Sequence, residues 1–143
     1  MSGKLRLYQT SFTVSDFDRS IAFYRDVLGM TVKRTFLKDG ETLGVMTGYP
    51  GTQLRIAMLA AGDHEIELLH YIPAAGKKQP PERRDIGAGH IAFQVDDIEA
   101  VYKDLKAKGV RFVSPPQDFG AAKACYFTDP DGITLELVQR MPG

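Results

Sequence analysis

The chain has 143 residues, 43% of them hydrophobic, and its 18 Lys and Arg balance its 18 Asp and Glu. This length suits one compact domain or two half-size modules, and the zero net charge argues against nucleic acid or an anionic membrane as the main partner. The single cysteine, Cys125, excludes an intrachain disulfide, and no apolar run is long enough for a signal peptide or a membrane span, so we expect a cytoplasmic protein.

The first part of the chain alternates between strand and helix periodicity. Apolar residues recur at helical spacing over residues 18–28, and Gly29 is a typical residue to end that helix. β-Branched and aromatic runs on either side of it are typical of strands. The predicted elements are a strand over 5–14, a helix over 18–28, and strands over 31–37, 43–47, 53–59 and 64–71.

The second part repeats this order. Residues 90–95 alternate so that His90, Ala92 and Gln94 share one strand face, and a helical stripe over 98–108 ends at Gly109. Strands are predicted over 110–113, 123–128 and 133–139. The offset from Gln9 to His90 is 81 residues, and the offset from Gly29 to Gly109 is 80.

The repeat predicts an α+β fold built from two copies of one unit. A unit with one helix and one apolar sheet face needs a partner to bury that face, so we expect the two copies to pair and to leave a concavity lined by polar residues. The segment between them is rich in Pro and Gly and has neither period. We expect one domain over 1–143, with module 1 over 5–72, a linker over 73–87 and module 2 over 88–140.

Each copy places a carboxylate in the middle of its last apolar strand, at Glu67 and at Glu136. Such a carboxylate is costly to bury without a compensating cation or donor, although either Glu taken singly is more simply an edge residue that faces water. Gln9 and His90 hold equivalent positions on the first strands. One amide, one imidazole and two carboxylates suit a divalent ion such as Zn, Ni, Co or Mn, whose charge would balance the two carboxylates.

These positions belong to a longer pattern that resembles the vicinal oxygen chelate superfamily, which includes glyoxalase I, methylmalonyl-CoA epimerase, extradiol dioxygenases, fosfomycin-resistance enzymes and bleomycin-resistance proteins. The motifs that carry the resemblance are Gln9-Thr10, Val14 and Asp16, then Ser20-Ile21, Phe23-Tyr24 and Leu28-Gly29-Met30, then Glu67, then Gly89-His90-Ile91-Ala92-Phe93 and Val95-Asp96-Asp97, and finally Asp129-Pro130-Asp131-Gly132 and Glu136. The resemblance implies two tandem βαβββ modules, the glyoxalase/bleomycin-resistance/dihydroxybiphenyl dioxygenase-like fold, with mixed sheets forming a half-open barrel.

For the site, the resemblance implies that Gln9, Glu67, His90 and Glu136 are the four ligands of one metal ion. It also implies a homodimer with sites at the module or subunit interface. Members that use glutathione carry an Arg four residues after the first ligand and an Asn four residues after the second. Here Thr13 and Tyr71 hold those places, which argues against a glutathione substrate.

The chemistry implied is metal-assisted proton transfer on a small carbonyl or thioester substrate, through an enediolate or enolate. Glu136 is our first choice for the base and Glu67 the second. In an alternative, both remain ligands and Glu41 or Glu65 takes the proton. The basic residues Arg55, Arg83, Arg84 and Lys123 are ordinary surface charges by default, although one or two could bind an anionic substrate group.

Three classes of function compete. A metal-dependent lyase, isomerase or epimerase is favoured by the carboxylate-rich ligand set. An extradiol-type dioxygenase would require two His and one carboxylate around Fe(II), and Gln9 replaces one of those imidazoles. A metal-free drug-binding or resistance protein would not require the four donor side chains.

Overall fold

The computed structural model describes residues 4–74, 76–78 and 82–142. The chain divides into two compact units, Met1–Gly76 and Lys77–Gly143. Residues 75 and 79–81 of the expected linker lie outside the described residues. The single domain and the module limits of 5–72 and 88–140 stay predictions.

The first unit consists of a four-stranded mixed sheet and two α-helices. Its sheet has the order β1-β4-β3-β2, in which β1 runs parallel to β4 and the other pairs are antiparallel. A π-helical turn, Phe23–Val27, follows directly after the first helix. The elements are β1 (Thr10–Thr13), α1 (Phe17–Ala22), β2 (Thr31–Lys38), α2 (Glu41–Thr47), β3 (Gln53–Ala61) and β4 (His64–Ile72).

The two faces of this sheet are covered by different helices. α1 contacts β4 and buries Phe17 and Ile21, and the guanidinium of Arg55 on β3 lies 4.2 Å from the centre of the Phe17 ring. On the other face, Leu43 of α2 joins an apolar cluster with side chains of β3, namely Leu54, Ile56 and Met58. Successive residues of β4 alternate between the two faces of the sheet. Glu67 pairs with Met58, which belongs to the cluster on the α2 side, so Glu67 lies on that side as well.

The strand expected over 43–47 is wrong, because those residues belong to α2. Leu43 is 5% exposed, and the Thr47 hydroxyl donates to the Leu43 carbonyl oxygen at 2.8 Å, one turn back along the helix. A Cβ on Gly44 would lie 3.1 Å from the Pro50 Cα, so a small residue permits this close approach. A short apolar run has no decisive periodicity, and packing against β3 selected the helix.

The second unit repeats the arrangement with a five-stranded mixed sheet. β5 runs parallel to β9 in the order β5-β9-β8-β6, and a short strand, β7, pairs with β8. α3 buries Ile98 and Leu105. The elements are β5 (Ile91–Gln94), α3 (Ile98–Ala107), β6 (Arg111–Phe112), β7 (Gln117–Asp118), β8 (Ala122–Thr128) and β9 (Thr134–Arg140).

The described residues thus form three α-helices and two mixed sheets, which confirms the expected α+β class and the strand-helix-strands order of both copies. Within the described ranges neither sheet closes into a barrel. None of the described helices has the length and apolar character to cross a membrane.

Candidate functional site

The pairing register places the two central glutamates in equivalent positions. On β4, Glu67 lies opposite Ser11 of β1, and on β9, Glu136 lies opposite Ala92 of β5. Gln9 stands two residues before Ser11, and His90 stands two residues before Ala92. Each unit therefore repeats the same local arrangement, in which a first-strand donor residue precedes the position that pairs with the glutamate.

In the second unit this arrangement brings His90 into contact with Glu136. The His90 Nε2 and the Glu136 Oε1 are 3.0 Å apart, and their side chains are 39% and 20% exposed. The ring of Tyr126, which pairs with Glu136 across β8 and β9, meets the imidazole edge to face at 5.2 Å between centroids. These two contacts hold the imidazole beside the carboxylate.

The His90 and Glu136 pair fits a divalent ion. Two ligands that lie about 2.1 Å from one ion, at right angles in an octahedral shell, are about 3.0 Å apart. The observed 3.0 Å between Nε2 and Oε1 is the length of an ordinary hydrogen bond, and the same separation suits two ligands of one ion. An imidazole nitrogen and a carboxylate oxygen are also donors that Zn, Ni, Co and Mn accept.

In the first unit Glu67 has a different partner. The Ser11 hydroxyl donates a hydrogen bond of 2.9 Å to the Glu67 Oε1, and the Glu67 side chain is partly buried beside the apolar cluster of β3 and α2. Gln9 is partly buried and directly precedes β1. The sequence analysis missed Ser11, although its place two residues after Gln9 puts it on the same strand face. The register that brings it opposite Glu67 is visible in the structure alone.

Of the four expected ligands, the structure brings His90 and Glu136 into contact in the second unit, whereas Gln9 and Glu67 both belong to the first unit, where the side-chain partner of Glu67 is Ser11. Among the described residues, no group of three or more His, Cys, Asp or Glu side chains gathers in either unit. Each unit by itself thus carries half of the expected ligand set.

The other two histidines and the cysteine lie outside the candidate ligand set. His70 lies on the strand face opposite Glu67, and its Nδ1 is 3.2 Å from the Val14 carbonyl oxygen, whereas His64 is exposed. Cys125 is buried, and burial together with the negative charges of Glu99 and Glu136 raises the pKa of its thiol to about 11. The thiol therefore stays protonated and is a poor nucleophile at neutral pH.

A cleft of about 860 Å³ in the first unit lies away from Glu67. It is bordered by the start of α2, by the loop after it and by the end of β4, where Ile72 and Pro73 line it. Ile72 stands five residues after Glu67 on an extended strand, a separation of about 16 Å. This cleft therefore does not adjoin the carboxylate.

The chain matches the family model described as Glyoxalase/Bleomycin resistance protein/Dioxygenase superfamily over residues 6–137. It is 31% identical to a lactoylglutathione lyase of Neisseria meningitidis serogroup A, over 97% of this chain and 94% of the relative. It is 29% identical to a 2-epi-5-epi-valiolone epimerase of an Actinomyces species, over 99% of this chain and 82% of that protein.

Solved structures resemble the chain over almost its whole length. A glyoxalase family protein from Bacillus cereus superposes with a TM-score of 0.87 at 24% identity and covers 99% of this chain and 97% of its own, a likeness that concerns the fold. The trypanothione-dependent glyoxalase I of Leishmania major gives a TM-score of 0.68 at 25% identity, over 95% of this chain and 87% of that one.

Proposed function

This chain belongs to the glyoxalase/bleomycin resistance protein/dioxygenase superfamily, also called the vicinal oxygen chelate superfamily, and from this premise we propose that it is a metal-dependent lyase, isomerase or epimerase. Its substrate would be a small carbonyl or thioester compound that passes through an enediolate or enolate. Relatives in both reaction classes, the lyases and the epimerase, support this proposal. The observation that carries it is the 3.0 Å contact between the His90 Nε2 and the Glu136 Oε1.

In this proposal Gln9, Glu67, His90 and Glu136 together hold one divalent ion, Zn, Ni, Co or Mn, with Fe(II) ranked below them. The two carboxylates carry a charge of minus two and the other two ligands are neutral, so a divalent ion balances the set. The proposal requires that two units, from one chain or from the two chains of a homodimer, each contribute a pair. A cytoplasmic location belongs to the same proposal.

When bound, the ion supplies Lewis acidity that stabilises negative charge developing on two neighbouring substrate oxygens. The chain itself supplies the base. Glu136 would take a proton from the carbon next to the carbonyl and, in an isomerisation, return it to the adjacent carbon. In an epimerisation the returning proton would come from a second acid on the opposite face of the same carbon, since one carboxylate reaches only one face.

The different partners of the two glutamates support Glu136 as the base and Glu67 as a fixed ligand. In this proposal the Ser11 hydroxyl holds the Oε1 of Glu67, and the Oε2 is the atom offered to the metal. The equivalent position beside Glu136 is Ala92, which has no hydrogen-bonding side chain, and the Glu136 carboxylate contacts the proposed ligand His90 instead.

The residues at the two positions that bind glutathione in other members support a substrate other than a glutathione adduct. Thr13 is exposed on β1 and carries no positive charge. The Tyr71 ring packs edge to face against Tyr49 at 6.0 Å and against the apolar cluster that contains Leu54. A phenol ring engaged in this packing does not replace the amide that glutathione-dependent members offer.

The first test is metal analysis of the purified protein, followed by deuterium exchange into the position next to a substrate carbonyl. We expect one divalent ion per site, and we expect Glu136→Gln to abolish exchange while Glu65→Gln and Glu41→Gln retain it. A panel of hemithioacetals, CoA thioesters and α-hydroxycarbonyl compounds supplies the substrates.

Three other results would contradict the proposal. Loss of exchange in Glu65→Gln with retention in Glu136→Gln would move the base to Glu65. Absence of a stoichiometric ion would remove the proposal and favour a metal-free binding protein. Oxygen uptake with a catechol that depends on Fe(II) would indicate a dioxygenase.

A further inference from the structure

The structure gives different environments to four basic residues that the sequence alone does not distinguish. Arg55 stacks on Phe17 on the α1 side of its sheet, and its guanidinium lies 3.5 Å from Asp18. Arg84 forms an ion pair of 3.1 Å with Glu82. Lys123 pairs with Gln139, whose side-chain oxygen accepts from the backbone at the start of α3, so Lys123 belongs to the helix side of its sheet.

Arg83 has a different environment. Its guanidinium carbon lies 6.0 Å from the centre of the Tyr126 ring. Tyr126 pairs with Glu136 on the neighbouring strand and contacts the His90 imidazole, so these three side chains share one face of the second sheet. Of the four basic residues, Arg83 is therefore the one that contacts a direct neighbour of the proposed metal ligands, Tyr126.

No carboxylate among the described residues of the second unit neutralises the charge of Arg83. Among the residues described, it forms no ion pair, and the nearby Glu136 is engaged by His90. A cation–π contact at this distance uses none of the guanidinium N–H groups as hydrogen-bond donors, so they stay available to another partner. Those N–H groups match the two oxygens of a carboxylate or a phosphate.

We propose that Arg83, supported by Tyr126, binds an anionic group of the substrate, a carboxylate or a phosphate, next to the ligands His90 and Glu136. This inference rests on the proposed metal-dependent function and narrows its substrate class. The substrate is a small hydroxy or oxo compound whose reacting oxygens lie at the metal ligands and whose anionic end reaches Arg83. Arg83 thus acts as a specificity-determining residue.

The test compares two chelators that mimic neighbouring substrate oxygens. Acetohydroxamate is uncharged at its distal end, and succinohydroxamate carries a carboxylate there. Calorimetric titration of the metal-loaded protein gives the ratio of their dissociation constants. We expect the wild type to favour the carboxylated chelator by roughly fivefold, since an exposed charge pair contributes up to about 1 kcal/mol.

Arg84 offers a matched control, because it is the neighbouring arginine and is already paired with Glu82. We expect Arg83→Gln to bring the ratio to about one and Arg84→Gln to keep the wild-type ratio. Added acetate and added inorganic phosphate, each titrated against succinohydroxamate, show which of the two anions the subsite prefers.

The proposal is overturned if the wild type shows no preference, if Arg83→Gln keeps it, or if Arg84→Gln abolishes it equally. If metal-loaded wild type binds acetohydroxamate but does not distinguish the two chelators, the metal-dependent function stands and the anion subsite falls. If neither chelator binds, the metal-dependent proposal falls and the subsite falls with it.

Discussion

At the scale of single residues, the two copies differ in the side chains that contact Glu67 and Glu136. Glu67 accepts a hydrogen bond from Ser11, whereas Glu136 lies opposite Ala92 and contacts His90. A hydrogen bond to a charged group contributes about 1.5–3 kcal/mol when buried and less when water has access. The two similar glutamates therefore have different partners, a hydroxyl and an imidazole, which supports different roles for them.

Removing the Ser11 hydroxyl should weaken metal binding. We expect Ser11→Ala to raise the dissociation constant of a divalent ion about threefold to tenfold, because Glu67 loses the donor that orients it. Ser11→Thr keeps a hydroxyl and should preserve the affinity. Competition against a coloured chelator measures both constants without any substrate.

Thr10→Ala is the matched control, since Thr10 directly precedes Ser11 on β1 and faces the other way. If Thr10→Ala weakened binding as much as Ser11→Ala, the effect would be a general one on β1. Unchanged affinity in Ser11→Ala would show that Glu67 does not depend on this hydroxyl.

At the scale of elements, both copies use the same device to start the helix after the first strand. The Asp16 side chain accepts from the Arg19 backbone N–H in α1, and the Asp97 side chain accepts from the Ala100 backbone N–H in α3, both at 3.1 Å. Each carboxylate also faces the positive end of its helix dipole. The repeated Asp is therefore a structural residue rather than part of the site.

Asp97→Ala should destabilise the protein by about 1 kcal/mol, because one N–H at the start of α3 loses its partner. Urea unfolding of the two proteins measures the difference. The neighbouring Asp96→Ala is the control, since Asp96 is exposed and does not cap the helix. Equal losses in both variants would mean that general charge, not the cap, stabilises α3.

At the scale of the whole molecule, metal binding should stabilise the native state. A ligand that binds the folded form raises its stability by about 2.7 kcal/mol at 100 times its dissociation constant. We expect a divalent ion to raise the melting temperature of the wild type, and we expect Glu67→Gln to lose most of that rise at the same ion concentration. Thermal unfolding with and without a chelator measures both effects.

Glu65→Gln provides the comparison, because Glu65 lies on the same strand and is exposed. Its melting temperature should rise with metal as the wild type's does. Should Glu67→Gln respond to the ion as fully as the wild type, Glu67 would not be a ligand.

The sequence by itself determined the α+β class, the repeat and the family, because strand and helix periods, terminal glycines and motif spacings are local properties of the chain. It also singled out Gln9, Glu67, His90 and Glu136 as candidate ligands, which stay predictions as a set. It did not determine α2, because residues 43–47 lack a decisive period and their packing on β3 selected the helix.

The tertiary structure alone decided the partners of the candidate residues. Ser11 and Glu67 are 56 residues apart, and His90 and Glu136 are 46 apart. The tertiary structure also distinguishes Arg83 from Arg84, which the sequence does not. Arg83 lies near the Tyr126 ring, whereas Arg84 forms an ion pair with Glu82. Such contacts depend on strand register across the sheet, and register is fixed when distant segments pack together rather than by the order of residues within any one segment.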